Sequence, residues 1–117
     1  MDTTLTNEQL NAIAQVGREC LLAQEAEKAM VVFSGLVALA PARAAFRLGL
    51  GLAHEALGNL VAARDEFTAA LVYAPDFPEA LFARGSVRLA LGDAGGADDT
   101  DKARRLVRAA YRGALPG

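Results

Sequence analysis

His54 and Cys20 are the single histidine and single cysteine of this 117-residue chain, and any nucleophilic or metal chemistry would start from them. A thiol nucleophile needs an adjacent base, and a metal site needs several converging ligands. The two stand 34 residues apart, with Arg88 another 34 along, so they read as one column of a repeat rather than a catalytic pair. His54 is expected to be an interior or half-buried, hydrogen-bonded residue. Asp98, Asp99 and Asp101 crowd together like an acidic calcium loop, but the central glycine and distal glutamate of that loop are missing. Their expected role is to place negative charge at the positive end of a helix. Lys102, Arg104, Arg105, Arg108 and Arg112 make a basic run with no interleaved aromatic platform for nucleic acid. They suit the C-terminal end of a helix, or contact with an acidic partner segment. No constellation of catalytic, metal-binding or cofactor-binding residues can be assembled, so the expectation is a non-enzyme without cofactor.

The elements that carry these residues repeat. Gly17, Gly51 and Gly85 are 34 residues apart, as are Ala29, Ala63 and Ala97, and the pairs Pro41 with Pro75 and Gly58 with Gly92 keep the same step. That is the period of the tetratricopeptide helix-turn-helix. The expected fold is all-α, with three such helical hairpins in a short right-handed superhelix. They form a single domain over 1–117, with repeats at about 10–43, 44–77 and 78–111. The small residues fall where the two helices of a hairpin meet, while Phe33 and Phe67 fill the space between hairpins.

Thr6 with Gln9 forms a capping box that starts a helix over about 7–23, whose buried face takes Leu10, Ile13, Ala14, Val16, Gly17, Cys20 and Leu21. A second helix over 25–40 ends before Pro41. Helices over about 43–57 and 60–73 follow, with Gly58 as the left-handed residue between them. Asp76 is expected to cap the fifth helix, with Pro78 in its first turn, and Gly92 to close it. The sixth is expected to start between Ala97 and Thr100 and run to about Tyr111, with Ala103, Leu106, Val107 and Ala110 inward. Here the 34-residue register puts Asp101 where Phe33 and Phe67 stand, so this last hairpin departs from the pattern and gives the array a polar outer end.

Composition narrows the partner classes. A net charge of −2 exerts no global pull on nucleic acid or anionic membrane. The N-terminus MDTTLTNEQL has no basic region followed by an apolar stretch, and the longest nearly apolar run, Met30 to Ala42, falls short of the ~20 residues of a membrane span. One cysteine allows no internal disulfide. A cytoplasmic protein is expected. A hydrophobic fraction of 53% is high for a short solenoid and points to a partner or second copy covering part of the surface.

In such an array the first helix of each hairpin lines a concave groove at steps of three and four. The first offers Asn11, Ala14, Arg18 and Leu21. The second offers Ala45, Leu48, Leu52 and Glu55. The third offers Glu79, Phe82, Ser86 and Leu89. Clamping a terminal carboxylate would take several converging cations, and Arg18 alone does not supply them. Leu48, Leu52, Phe82 and Leu89 suit a protein or peptide segment that inserts apolar anchors.

The stretch AEKAMVVFSGLVALAP followed by FRLGLGLAHEALG, with LALGD at 89–93, resembles the second-class chaperones of bacterial type III secretion systems. The likeness covers about residues 26–97 and is carried by Ala29, Val32, Phe33 and Leu36, then by the paired-glycine run Phe46 to Gly51 and by Ala56 to Gly58. It implies a cytoplasmic tetratricopeptide chaperone that holds an export substrate, a translocator subunit or, as in the small needle-subunit chaperones, a needle subunit. It also implies a homodimer or heterodimer, although the longer N-terminal arm through which such chaperones dimerise has only about nine residues as its counterpart here. The alternative is a general tetratricopeptide interaction scaffold unrelated to secretion.

Overall fold

The hydroxyl of Thr6 accepts the Gln9 N–H at 3.1 Å while the Gln9 side chain accepts the Thr6 N–H at 2.8 Å, so the first helix begins with the reciprocal cap its sequence encodes. In the computed structural model, which describes residues 4–114, six helices follow one another. They are α1 (Asn7–Leu22), α2 (Ala26–Leu39), α3 (Ala44–Ala56), α4 (Leu60–Tyr73), α5 (Pro78–Ala90) and α6 (Gly96–Ala114), with no strand among the described residues. Each helix packs on its neighbour in sequence, and α3 also touches α1 and α5, as a stack of helical hairpins requires.

Close approach of the helices depends on missing side chains. A Cβ on Gly17 would lie 2.7 Å from the Phe33 ring, and one on Gly49 would run into the other side of that ring. Phe33 is thus clasped between α1 and α3, fully buried with Leu36 and Phe46 in a core that also holds Leu50. Phe67 sits against Gly51 in the same way and closes a second core with Ala63 and Val87.

The turns inside the hairpins are left-handed at Gly58 (φ +80°) and Gly92 (φ +83°). The same column holds Gln24 in the first hairpin, at φ +60°, a conformation that a side chain makes costly. Its turn nevertheless closes as the others do, the Glu25 N–H donating to the Cys20 carbonyl at 2.8 Å.

Several sequence expectations change in the second half of the chain. Phe77, not Asp76, occupies the cap position of α5, and no side chain caps that helix. Asp76 instead pairs with Lys102 of α6 at 3.3 Å. Three residues separate α1 from α2 and α3 from α4, but five separate α5 from α6, which starts at Gly96 and runs to Ala114. This slip of two residues leaves Ala97 exposed. Gly96 meets Gly85 instead, Asp99 takes the place of Ala29 and Ala63, and Ala103 rather than Asp101 takes the place of Phe33 and Phe67. Val107 and Ala110, expected inward, are exposed because α6 packs against α5 alone. Val16 is likewise half exposed, on the face of α1 that no other helix covers.

Candidate ligand groove

Leu21 near the end of α1 and Leu48 and Leu52 on α3 project from one side of the hairpin stack, with Phe77 closing over them just before α5. They enclose a cavity of about 270 Å³ whose floor is the edge of Phe33 and the bare backbone of Gly49. Ala45 lines the same space and is exposed. The walls are apolar. Charge stands only at the rim, Arg18 from α1 and Glu79 from the first turn of α5.

Arg18 is positioned by its own helix: its Nε and Nη2 donate to the Gln15 side-chain oxygen at 3.1 and 2.8 Å. No carboxylate in the described residues forms an ion pair with it, and Glu79 is the opposite charge at the same rim. Asn11 is taken up elsewhere, accepting from Arg43 Nη2 at 2.8 Å, while the Arg43 guanidinium stacks 4.5 Å over the Phe46 ring and ties α1 to the start of α3.

Of the expected groove residues, the cavity therefore gathers Arg18, Leu21, Ala45, Leu48 and Leu52, together with Glu79. Ala14 is not available to a ligand; it is 1% exposed and belongs to the core around Phe33. Glu55 is half-buried outside the cavity wall, and its burial raises its carboxyl above the ordinary value. Phe82, Ser86 and Leu89 are exposed on α5 without lining the cavity. Sequence reasoning missed Phe77 as a wall. The available signal was an apolar residue directly before Pro78, where a helix start ordinarily takes a polar cap.

His54 is half-buried, but its Nδ1 finds no hydrogen-bond partner in the described residues, so the expected hydrogen bond is not formed. No group of three histidine, cysteine or acidic side chains in the described residues converges to hold a metal ion, and no described helix is long and apolar enough to cross a membrane.

Among protein-family models and curated proteins, none matches this chain. Solved structures do. PcrH in complex with the chaperone binding region of PopD superposes with a TM-score of 0.83 at 26% identity, over 93% of this chain and 83% of that one. The structural neighbours are type III secretion translocator chaperones and tetratricopeptide proteins. The Yersinia enterocolitica chaperone SycD, in complex with a peptide of the translocator YopD, gives 0.79 at 22% identity over 87% of this chain and 79% of that one. The second tetratricopeptide domain of Spaghetti (RPAP3), bound to an HSP90 peptide, gives 0.79 at 19% identity over 84% and 92%, and shares the fold alone.

Proposed function

We propose that this protein is a chaperone that holds an export substrate of a type III secretion system, a translocator or needle subunit, by an apolar segment seated in the α1–α3–α5 cavity. The observation that carries the reading is the cavity itself. Its leucine and phenylalanine walls are open to solvent, its floor is cleared by Gly49, and among the described residues its rim carries one cation, Arg18. A translocator segment is the kind of ligand that the PcrH and SycD complexes hold. One large apolar side chain entering the cavity contributes about 1.5–3 kcal/mol. Several such anchors along a segment would reach micromolar binding if ordering costs are modest, about −8 kcal/mol in total. Occupying that segment keeps the substrate from assembling with itself before export.

A groove of this composition argues against clamping a peptide's terminal carboxylate, which takes several converging cations. Ala45 gives the cleanest test, because it lines the cavity, is exposed and belongs to neither adjoining core. Co-expressed with the secretion genes neighbouring its own, the protein should co-purify with a client. Ala45→Asp should lower that capture by about tenfold or more, as one buried apolar contact and an unpaired charge would, with helicity and Tm unchanged. Absence of any client, or full capture by Ala45→Asp, would remove the reading.

A further inference from the structure

The slip of two residues before α6 has a consequence at the far end of that helix. It places Leu106 and Val107 where α4 carries Ala70 and Leu71, and where α2 carries Leu36 and Val37. Ala70 and Leu71 are buried against Ala80 and Leu81 of α5. Leu36 and Val37 pack in the core that Phe46 and Leu50 of α3 complete. This helix face thus receives the first helix of the following hairpin twice. On α6 it is presented a third time; Leu106 is partly covered by the core beneath it, but Val107, 49% exposed, and Tyr111, 66% exposed, receive no helix among the described residues.

The flank of the face is charged. Beside α5, the edge of α4 is lined by Thr68 and Val72; the corresponding residues of α6 are Arg104 and Arg108. Arg104 pairs with Asp101 at 3.1 Å, whereas Arg108 and Arg112 pair with no acid in the described residues. From Lys102 to Ala114 the sequence holds no aspartate or glutamate. A second copy laid on this stretch would set arginine against arginine, and a nucleic acid would find one aromatic ring to stack on, Tyr111.

We propose that the face of α6 around Val107 receives an amphipathic helix of a partner protein that carries acidic residues beside its apolar stripe, docked as the next first helix of the array would be. The site lies outside the groove and does not depend on the chaperone reading. A helix-stapled fluorescent peptide copying residues 77–91, which are α5 and its two flanking residues, with Arg84→Glu and Arg88→Glu, is the probe. Its anisotropy titration should show binding about tenfold tighter than that of the unmodified α5 peptide, weakening as salt is raised. Val107→Asp should weaken it about tenfold or more. Arg108→Glu, a change on the exposed surface, should abolish the preference for the acidic peptide, and Ala45→Asp should leave binding unchanged. The proposal is overturned if the acidic peptide does not bind or is not preferred, if Val107→Asp variants that remain folded by circular dichroism bind it equally, or if Ala45→Asp abolishes binding, which would place the peptide in the groove. Arg108-dependent sedimentation with phosphatidylserine vesicles, the peptide remaining unbound, would assign the face to a membrane surface and equally overturn it.

Discussion

Asp99 is the buried acid among the described residues, and three hydrogen bonds decide its state. Arg84 donates to both of its oxygens, Nε at 2.8 Å and Nη2 at 2.7 Å, and Arg88 Nη1 adds a third at 3.0 Å while its Nε holds Asp93. Burial pushes the Asp99 carboxyl up, but the hydrogen bonds from the two arginines outweigh it and leave the group below the ordinary carboxylate value. A lowered folded-state value means that the ionised acid stabilises the fold fully above the unfolded pKa of ~3.9, and that this contribution is lost as pH falls through the folded value. Asp99→Asn should therefore cost about 3 kcal/mol at neutral pH, since it leaves two guanidinium groups facing a neutral amide. Urea unfolding measured from pH 7 downward should show the gap between wild type and variant closing below about pH 4. A gap that persists there would mean that the charge is not what holds the pair. In the sequence Asp99 looked like its neighbours Asp98 and Asp101, three acids at a helix start. Only the two extra residues before α6 distinguish it, because they rotate Asp99 to the column that alanine fills in the earlier hairpins and leave the other two in solvent.

At the scale of the helix, glycine has two opposite effects in this chain, and the repeat pattern separates them only in part. Gly17 and Gly51 stand in the 34-residue column, and each admits a phenylalanine ring from the following helix. Gly49 lies outside that column, yet it admits Phe33 from α2 and forms the cavity floor. Gly35, midway along α2, faces open space. Gly49→Ala should destabilise by about 1–3 kcal/mol, since the added methyl would overlap the buried Phe33 ring and force it to shift. Gly35→Ala should stabilise by about 0.5–1 kcal/mol, the helix-propensity gain with no contact to oppose it. Thermal melts of the two variants moving in the same direction would contradict this account. Helix starts and stops were legible because they are written in local chemistry, in Thr6 with Gln9, in Pro41 and Pro75, and in Gly58 and Gly92. The start of α6 was not. Gly95, Gly96 and Ala97 are consecutive small residues, and spacing alone favoured Ala97 as the contact when packing selects Gly96. The left-handed turn at Gln24 was equally hidden, since its residue type gives no sign of the conformation it adopts. In the groove, periodicity picked out Arg18, Leu21, Ala45, Leu48, Leu52 and Glu79, which line the cavity, but also Asn11, Ala14, Glu55, Phe82, Ser86 and Leu89, which do not. The cavity is closed by Phe77 ahead of α5 rather than by Phe82 within it.

Across the whole molecule, contacts run only between neighbours in the stack. α3 touches α1, α2, α4 and α5, whereas α6 touches α5 alone and never meets α1 or α2. In such an array stability is a sum of hairpin and interface contributions, so local opening should be cheapest at the ends. The two ends differ in how they are tied. α1 begins with a capping box and is joined to α3 by the Arg43 to Asn11 hydrogen bond. The last two turns of α6 carry half-exposed Val107 and Tyr111 and no tertiary ion pair, its anchors to the rest of the chain lying earlier, at Asp99 and Lys102. Amide hydrogen exchange at neutral pH should therefore be slowest in α3 and α4, intermediate in α1, and fastest in α6 beyond Leu106, where opening needs no rupture of the Asp99 cluster. Adding the acidic stapled peptide should slow exchange in that last stretch and in α5, since a docked helix would bury the face and brace the hairpin beneath it. Protection that is uniform along the chain, or that falls from the C-terminal end toward the N-terminal one, would show that the hairpins open as one cooperative block or that α6 is held by contacts other than those with α5.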